Sequence, residues 1–242
     1  MNPFRYRAIV EGGDQILNPL SPWKLRRLVD YLGLADGDRV IDVGCGKGWL
    51  LAEMSRARRI QAIGLEINPA FAALARRELA AFGDSRIIDG PALDYPLERG
   101  SFDVALCIGA TFALDGLERS IDWLASAVRP GGRVAIGEPF ALRPFPPDMA
   151  TRRLEYDRTQ AEVADLMAAG GLALTGLVAS SLDDWDHYES RHWRATADWL
   201  RAHPDDPDAR WLAETNAGHR QHYLAEQRDC LGWAVFVAER VG

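Results

Sequence analysis

Several features that would assign this chain to a particular class of protein are missing from it. No uninterrupted apolar stretch reaches the ~20 residues of a membrane-spanning helix, so none is expected. No polybasic run occurs and the formal net charge is −7, which argues against DNA, RNA or an anionic membrane as a partner. The N-terminus lacks the apolar core of a signal peptide. The three cysteines lie far apart, which is typical of reduced thiols and predicts a cytoplasmic protein.

Two common kinds of catalytic centre also lack support. No G-x-S-x-G elbow occurs, so a Ser-His-Asp hydrolase is not expected. His219 and His222 are close together on a predicted helix, but no acidic or Cys/His partners have zinc spacing, so no metal site is expected. The length of 242 residues suffices for one large α/β domain or a core plus a cap, and it leaves the oligomeric state open.

Residues 39–66 contain signals for a strand, a glycine-rich turn, a helix and a second strand. Val40–Val43 is a short, β-rich apolar run of the kind expected for a buried parallel strand. It breaks at a turn with glycines at positions 44, 46 and 48, where no side chain keeps a ligand from the backbone. Trp49–Arg58 has the pattern of a helix, so the N–H groups at its start face the turn. This arrangement predicts that the turn binds a ligand.

A second predicted strand, Ile60–Leu65, delivers Glu66 at its carboxyl end, about twenty residues beyond the glycines. An acid at this place can accept hydrogen bonds from both hydroxyls of a ribose. The glycine spacing narrows the choice of nucleoside, because a dinucleotide fingerprint requires a third glycine at position 49, where this chain has Trp49. The stretch therefore predicts a nucleoside-binding βαβ unit that does not hold a dinucleotide.

Asp42 precedes the first glycine by two residues, and the sequence Asp-Val-Gly-Cys-Gly-Lys-Gly resembles the first motif of class I S-adenosylmethionine-dependent methyltransferases. The resemblance implies an α/β fold with a doubly wound, seven-stranded, mostly parallel Rossmann-like sheet, whose last strand inserts antiparallel between the fifth and sixth. It also implies S-adenosylmethionine as the cofactor, with the methionine end in the turn and the ribose at Glu66. The candidate cofactor-binding residues are Asp42, Gly44, Cys45, Gly46, Gly48, Glu66, Ile67, Ala92, Leu93, Cys107 and Ile108.

The resemblance extends over residues 22–240. A Pro-Gly-Gly turn at 130–132 precedes the fifth strand, as in the family, and that strand is predicted at Val134–Gly137. Enzymes of this fold that methylate the exocyclic amines of nucleic-acid bases have an Asn/Asp-Pro-Pro-aromatic tetrad after the fourth strand. This chain has Ile108–Thr111 there, with the sequence Ile-Gly-Ala-Thr. The difference argues against a base-modifying enzyme.

The adenine contacts depart from the family pattern. After the third strand the family usually has a Gly-Asp-Ala-like stretch, whose acid bonds the adenine amino group. This chain has Pro91 at the aligned position. Asp89 or Asp94 could take the place of that acid, or the backbone N–H of Ala92 alone could meet the ring.

The chain is predicted to be a single methyltransferase domain, residues 1–242, that includes two segments outside the sheet. Residues 1–21 form an N-terminal arm, either a plain surface segment or a mobile lid, since its paired glycines supply hinges and its aromatic residues supply cover. Residues 181–228 are predicted to form a helical cap inserted between the last two strands, beginning with a loop at Leu182–Glu189. Ligands of open α/β sheets bind beyond the carboxyl ends of the strands, so both segments are expected at the active site.

Methyl transfer requires the protein to align the acceptor and exclude water, and in some cases to remove one proton. The candidates for proton removal are His187, whose unperturbed pKa near 6.5 suits a base, Tyr188 and Glu138. The candidate substrate contacts are Phe112, Trp185 and Tyr6, because aromatic faces form apolar or cation-facing walls.

Together with the resemblance, these residues predict methyl transfer from S-adenosylmethionine to a small-molecule acceptor. The reacting atom of the acceptor, whether oxygen, nitrogen, carbon or sulfur, stays open. One alternative is a catalytically silent protein of the same fold that keeps the cofactor and acts as a sensor or partner subunit. Another is transfer of the aminopropyl group of the cofactor, which the acidic residues within 183–189 keep open.

Overall fold

The computed structural model describes residues 1–143 and 158–242. Within these ranges the strands are Arg39–Val43 (β1), Gln61–Glu66 (β2), Ser85–Asp89 (β3), Phe102–Ile108 (β4), Val128–Ala141 (β5), Leu172–Ala179 (β6) and Leu231–Arg240 (β7). The α-helices are Pro3–Val10 (α1), Pro22–Leu32 (α2), Trp49–Ala57 (α3), Pro69–Glu78 (α4), Leu117–Ala127 (α5), Gln160–Ala169 (α6), Leu182–Ala202 (α7) and Ala209–His222 (α8). Short 3-10 helices span Ala92–Asp94 and Thr111–Leu114, and a π-helix spans Tyr223–Gln227.

The strands form a sheet in the order β3-β2-β1-β4-β5-β7-β6. The strands β1 to β5 run parallel to one another, while β7 is antiparallel to both β5 and β6. The predicted seven-stranded, mostly parallel sheet with an inserted antiparallel last strand is therefore confirmed. The strand order reverses between β1 and β4, and the carboxyl ends of these two strands border the crevice in which such sheets bind ligands.

Successive side chains of a strand point to opposite faces of the sheet, and apolar side chains form a hydrophobic core on each face. On one face, Ile41 and Val43 of β1 pack in a cluster with α5 and α6. On the other face, Val40 of the same strand packs in a cluster with α2 and α3. Because helices cover both faces, the central strands are apolar on both sides, as expected for a parallel sheet. None of the helices in residues 1–143 and 158–242 combines the length and the apolar character that crossing a membrane requires.

Helix starts follow signals in the sequence. The side chain of Ser21 accepts the N–H of Lys24 at the start of α2, and Pro22 occupies the first helical position. Thr159 and Glu162 form a capping box at the start of α6. These two helix starts therefore depend on contacts between residues that are neighbours in the chain.

Three local predictions differ from the structure. The N-terminal arm contains a helix, α1, whose signals are an Asn2 N-cap and a proline at the first helical position. The predicted loop Leu182–Glu189 is the start of α7, because Ser181 and Asp184 form a capping box. The strand β5 continues beyond Gly137, because its last residues pair with β7.

Candidate active site

The turn after β1 brings backbone to the open edge of the sheet. Its three glycines have positive φ angles of +71° at Gly44, +56° at Gly46 and +79° at Gly48, a region in which other residues are strained. At position 44 space is also lacking, since an added Cβ would lie 2.4 Å from the Cβ of Ala110. Both the backbone conformation and the close approach of the chain after β4 therefore require glycine at this position.

The Glu66 carboxylate ties the end of β2 to this turn. Its Oε2 accepts the N–H of Gly46 at 2.9 Å, and its Oε1 accepts the N–H of Asn68 at 2.7 Å. Burial raises the pKa of Glu66, and the two N–H donors act in the opposite direction. Glu66 lines a large cavity, and each carboxylate oxygen keeps a second lone pair. The side chain can therefore still accept hydrogen bonds from the hydroxyls of a ligand.

Asp42 lies on β1 beside Glu66 and is only 3% exposed. Burial and then the charge of Glu66 raise the pKa of Asp42 to about 8. A second buried carboxylate at this place is unfavourable unless a cation compensates it. Because Asp42 lines the same cavity, an ammonium group of a bound ligand can supply that cation.

The cavity has a volume of about 1180 Å³ and runs along the carboxyl edge of the sheet. The N-terminal arm, the glycine turn, the ends of β2, β4 and β5, and α7 all contribute to its wall. The predicted site residues that line it are Asp42, Gly44, Cys45, Gly46, Glu66, Ile67, Ala92, Ile108, Phe112, Glu138, Trp185 and Tyr188. The fold thus brings the glycine turn together with residues from both outlying segments.

The N-terminal arm crosses the edge of the sheet beside the glycine turn. The amide of Asn18 donates to the last carbonyl of β4 at 3.3 Å. Helix α7 holds the arm from the other side, since the Tyr188 hydroxyl donates to the Leu17 carbonyl at 3.4 Å and Arg191 donates to the Ile16 carbonyl at 3.2 Å. The arm is therefore bonded to both the sheet and α7 where it lines the cavity.

Two of the three predicted proton acceptors line the cavity. Glu138 is 8% exposed and lies one residue beyond the last pair between β5 and β4, at the ligand edge of the sheet. Burial raises the pKa of Tyr188, which makes this residue a hydrogen-bond donor and not a base. His187 is exposed and lies outside the lining, so the structure does not bring this candidate base to the cavity. Trp185 and Tyr188 share the face of α7 that meets the cavity, and His187 lies on a different face.

Phe112 and Trp185, two of the predicted substrate contacts, line the cavity, whereas Tyr6 does not. Phe112 is 72% exposed, which places it at the mouth. The ring of Tyr6 packs edge-on against Trp211 with centroids 5.7 Å apart, and its hydroxyl is 3.1 Å from Nδ1 of His219. Tyr6 therefore fastens α1 to α8, and the structure does not bring this candidate substrate contact to the cavity.

Three of the predicted cofactor residues lie outside the lining. Gly48 faces α4, where an added Cβ would lie 3.1 Å from Ala75. Leu93 is 52% exposed, and Cys107 is fully buried. Alternation along β4 turns Cys107 into the core between the sheet and α5, whereas Ile108 reaches the cavity.

Comparison with known proteins agrees with this geometry. A family model described as "Methyltransferase domain" matches residues 40–132. The chain is similar to the crystal structure of a SAM-dependent methyltransferase from Geobacter sulfurreducens in complex with S-adenosyl-L-homocysteine, with a TM-score of 0.87, 32% identity and 97% of each chain covered. The chain belongs to the class I S-adenosylmethionine-dependent methyltransferases.

Two further proteins show over how much of its length this methyltransferase resembles known sequences. It is 31% identical to the uncharacterized protein YjhP of Escherichia coli over 96% of each chain. It is 30% identical to the 27-O-demethylrifamycin SV methyltransferase of Amycolatopsis mediterranei, over 71% of this chain and 65% of that protein. Because the likeness to the Escherichia coli protein spans nearly the whole chain, it includes the arm and the region of α7 and α8 as well as the sheet.

The residues of the site fit S-adenosylmethionine, the cofactor of this methyltransferase. The buried carboxyl of Asp42 would hold the amino group of the methionine end, and Glu66 would hold the ribose hydroxyls. Gly44 and Gly46 carry no side chain that would keep the part of the cofactor between these two ends away from the turn. When bound, the cofactor supplies a methyl group that its positive sulfonium makes electrophilic.

The part of the cavity assigned to the adenine ring is bordered by backbone and apolar groups. Gly90, Pro91 and Ala92 line the cavity. Asp89 is paired with Arg76 at 2.6 Å, and neither Asp89 nor Asp94 is in the lining. Of the residues considered for the adenine contact, Ala92 is therefore the one that lines the cavity.

Lys47, Asn18 and Trp233 are among the residues of the lining that sequence reasoning missed. A signal for Lys47 was present, because a lysine between two glycines of the motif stands out in a chain with one other lysine. The positions of Asn18 and Trp233 depend on the path of the arm and on the insertion of β7 beside β5. Neither of these is encoded by neighbouring residues.

Proposed function

We propose that this methyltransferase transfers the methyl group to a small molecule held in the cavity beside the arm and α7. The observation that carries the proposal is that Asp42 and Glu66 line the same continuous cavity as Glu138 and Trp185. Its volume of about 1180 Å³ exceeds the roughly 300–1,000 Å³ typical of a site for one small ligand. The cavity therefore has room for an acceptor beside the cofactor.

The wall beyond the cofactor end is suited to an acceptor with apolar surface. Trp185 and Tyr188 of α7 contact each other edge-on, with ring centroids 6.1 Å apart. Trp233 of β7 and Phe112 at the mouth extend this aromatic lining. Such walls align an acceptor and exclude water. The arm and α7 act as the lid and the cap of this pocket.

Glu138 is the proposed acceptor of a proton from the substrate. It lies at the carboxyl edge of β5, where ligands of open α/β sheets bind, and its side chain lines the cavity. Tyr188 is occupied by its hydrogen bond to Leu17 and is assigned to holding the arm. By its name, the related 27-O-demethylrifamycin SV methyltransferase acts on a small molecule, which supports the same class of acceptor for this chain.

The experiment that tests the proposal uses S-adenosylmethionine labelled on the methyl group and a cell extract separated into small-molecule and macromolecular fractions. Label is expected in the small-molecule fraction, and the mass of the product distinguishes methyl from aminopropyl transfer. Label confined to protein or nucleic acid would contradict the proposal. Binding of S-adenosylhomocysteine without labelled product in either fraction would favour the silent binding protein.

A pair of variants tests the aromatic wall. Trp185→Ala is expected to lower incorporation of label into the product, while calorimetry with S-adenosylhomocysteine gives an unchanged affinity. Trp23→Ala is the matched control, because Trp23 is on α2 and is 63% exposed. Equal incorporation by the two variants would remove Trp185 from the acceptor pocket.

A further inference from the structure

Lys47 lies between the second and third glycines of the cofactor turn, yet its side chain extends into the N-terminal arm. The Nζ atom donates to the carbonyl oxygens of Glu11 at 2.5 Å, Gly12 at 3.1 Å and Asp14 at 2.6 Å. The residue is 3% exposed. An ammonium group has three N–H donors, so the three carbonyls match its capacity one to one.

The loop that these carbonyls belong to depends on that side chain. Residues 11–14 follow α1 and are in no strand or helix. Buried carbonyls require hydrogen-bond donors. The ammonium group of Lys47 donates one hydrogen bond to each of three carbonyls in this short segment. The ring of Phe71 lies 5.2 Å from Nζ and adds a cation–π contact. Residues 11–14 of the arm are thus tied to the glycine turn by one ammonium group, in addition to the bonds that join residues 16–18 to β4 and α7.

The turn that carries Lys47 is ordered by a residue of the cofactor site. The N–H of Gly46 donates to Glu66 at 2.9 Å. Leu17 of the arm packs on the same glycine, since a Cβ added there would lie 2.8 Å from Cδ1 of Leu17. Lys47 and Leu17 therefore connect the arm to the turn in the conformation that Glu66 holds. A ligand that favours this conformation of the turn also favours the bonded position of the arm.

The contacts at the start of the arm are of a different kind. Arg5 forms ion pairs with Asp206 at 2.6 Å and with Asp208, both between α7 and α8. These groups are distant in the chain from the glycine turn and are at least partly exposed, so they contribute little to stability. The ammonium of Lys47 is the charged group that joins the arm directly to the cofactor turn.

We propose that Lys47 is a positioning residue that couples cofactor binding to closure of the N-terminal arm over the cavity. In the closed position the arm excludes water and completes the wall of the acceptor pocket, and in the open position the cofactor and product exchange. The proposal rests on the cofactor assignment alone. Its tests need no acceptor, so failure of the small-molecule proposal leaves them intact.

The wild-type chain offers a direct test, because Lys24 and Lys47 are its only lysines. The protein is treated with an acetylating reagent with and without saturating S-adenosylhomocysteine, and mass spectrometry follows each lysine. S-adenosylhomocysteine is expected to slow acetylation of Lys47 about tenfold, a size typical of coupled sites. Lys24, which is paired with Asp184 of α7, is the internal control and should change less than about twofold. Equal rates at Lys47 in the two conditions would overturn the proposal.

A variant separates coupling from simple stabilisation. In the wild type, tryptic cleavage after Arg7 in α1 should slow about tenfold when S-adenosylhomocysteine is bound. In Lys47→Met this cleavage should be fast in both conditions, and the affinity for S-adenosylhomocysteine should fall about tenfold. Lys24→Met should behave as the wild type. If Lys47→Met lowers stability but keeps the effect of S-adenosylhomocysteine on cleavage, Lys47 is merely structural and the proposal is wrong. Should the variant not fold, the acetylation result decides.

Discussion

Asp42 and Glu66 lie on the neighbouring strands β1 and β2, and the charge of Glu66 adds to burial in raising the pKa of Asp42 to about 8. Two acids are therefore held together at the ligand edge of the sheet. The backbone N–H groups of Gly46 and Asn68 satisfy part of the hydrogen-bonding capacity of the Glu66 carboxylate. The pair suits a ligand that brings both a positive charge and hydroxyl groups, as the cofactor does. In the protein without ligand, burying these two acids together is energetically unfavourable.

Replacing Asp42 by Asn is expected to stabilise the cofactor-free protein at alkaline pH. The folded-state pKa of about 8 exceeds the ordinary value of 3.8, so the stability that the protonated carboxyl contributes is complete below pH 3.8 and is lost as the pH rises to about 8. At pH 9, Asp42→Asn should raise the free energy of unfolding by roughly 2 kcal/mol, and at pH 4 the difference should nearly vanish. Urea unfolding at the two pH values measures this difference.

The same variant should bind the cofactor less well, because its amide carries no charge to compensate an ammonium group. Calorimetry with S-adenosylhomocysteine is expected to show an affinity about tenfold weaker than that of the wild type. Asp122→Asn is the control, because Asp122 is exposed on α5, and it should change neither quantity. No gain in stability for Asp42→Asn at pH 9 would contradict the buried position of the charge.

His192 makes the contact between α7 and the arm sensitive to acid. Its Nε2 lies 3.9 Å from the carboxylate of Asp14, and burial, followed by the charges of Arg7 and Arg191, lowers the pKa of His192 to about 3 from 6.5. As the pH falls below 6.5 the unfolded chain takes up a proton that the folded chain does not, so stability is lost between about pH 6.5 and pH 3. When the pH falls from 7 to 5, the free energy of unfolding of His192→Gln should decrease by about 2 kcal/mol less than that of the wild type.

Urea unfolding at pH 7 and pH 5 measures this effect of His192. The exposed His187→Gln is the matched control and should follow the wild type. The same pH dependence in His192→Gln and in the wild type would mean that the histidine is charged in the folded protein.

Gly44→Ala is expected to destabilise the fold and to abolish cofactor binding. A side chain at φ +71° is strained, and its Cβ would lie 2.4 Å from that of Ala110, so the turn must shift. The expected loss in the free energy of unfolding is about 2–3 kcal/mol. Adding Ala110→Gly should restore part of the stability, because it removes the clash and leaves only the strain. Thermal unfolding of the two single variants and the double variant forms the cycle. A double variant whose loss equals the sum of the single losses would show that the contact is not the cause.

Glu138→Gln is expected to lower kcat about a hundredfold or more, if Glu138 accepts a proton from the substrate. Its affinity for S-adenosylhomocysteine should stay the same, because none of the groups assigned to the cofactor is on β5. Turnover of the acceptor found by the labelling experiment is the measurement, with His187→Gln as a control that keeps full activity. Normal turnover in Glu138→Gln would mean that the acceptor reacts without a base from this residue.

The cofactor end of the site was largely predictable from the sequence. Asp42, the glycine turn and Glu66 belong to one βαβ unit of fewer than thirty residues, and each of its signals is a property of adjacent positions. The acceptor end was less predictable. The capping box of Ser181 and Asp184 was a local signal for the start of α7, and helical spacing from that start separates Trp185 from His187. Tyr6 had no such signal, because its partners lie on α8.

Local signals in the sequence account for the strands, the left-handed glycine turn and the acid that follows β2, because alternation, glycine conformation and helix capping act between neighbouring residues. The side chains of the arm and of α7 that meet this turn are set by the packing of distant segments. Arg191 and Ile16 are 175 positions apart in the chain, and Lys47 finds its carbonyl partners 33 to 36 positions away. Such contacts form only when helices, loop and sheet pack together, so no local pattern of residues encodes them.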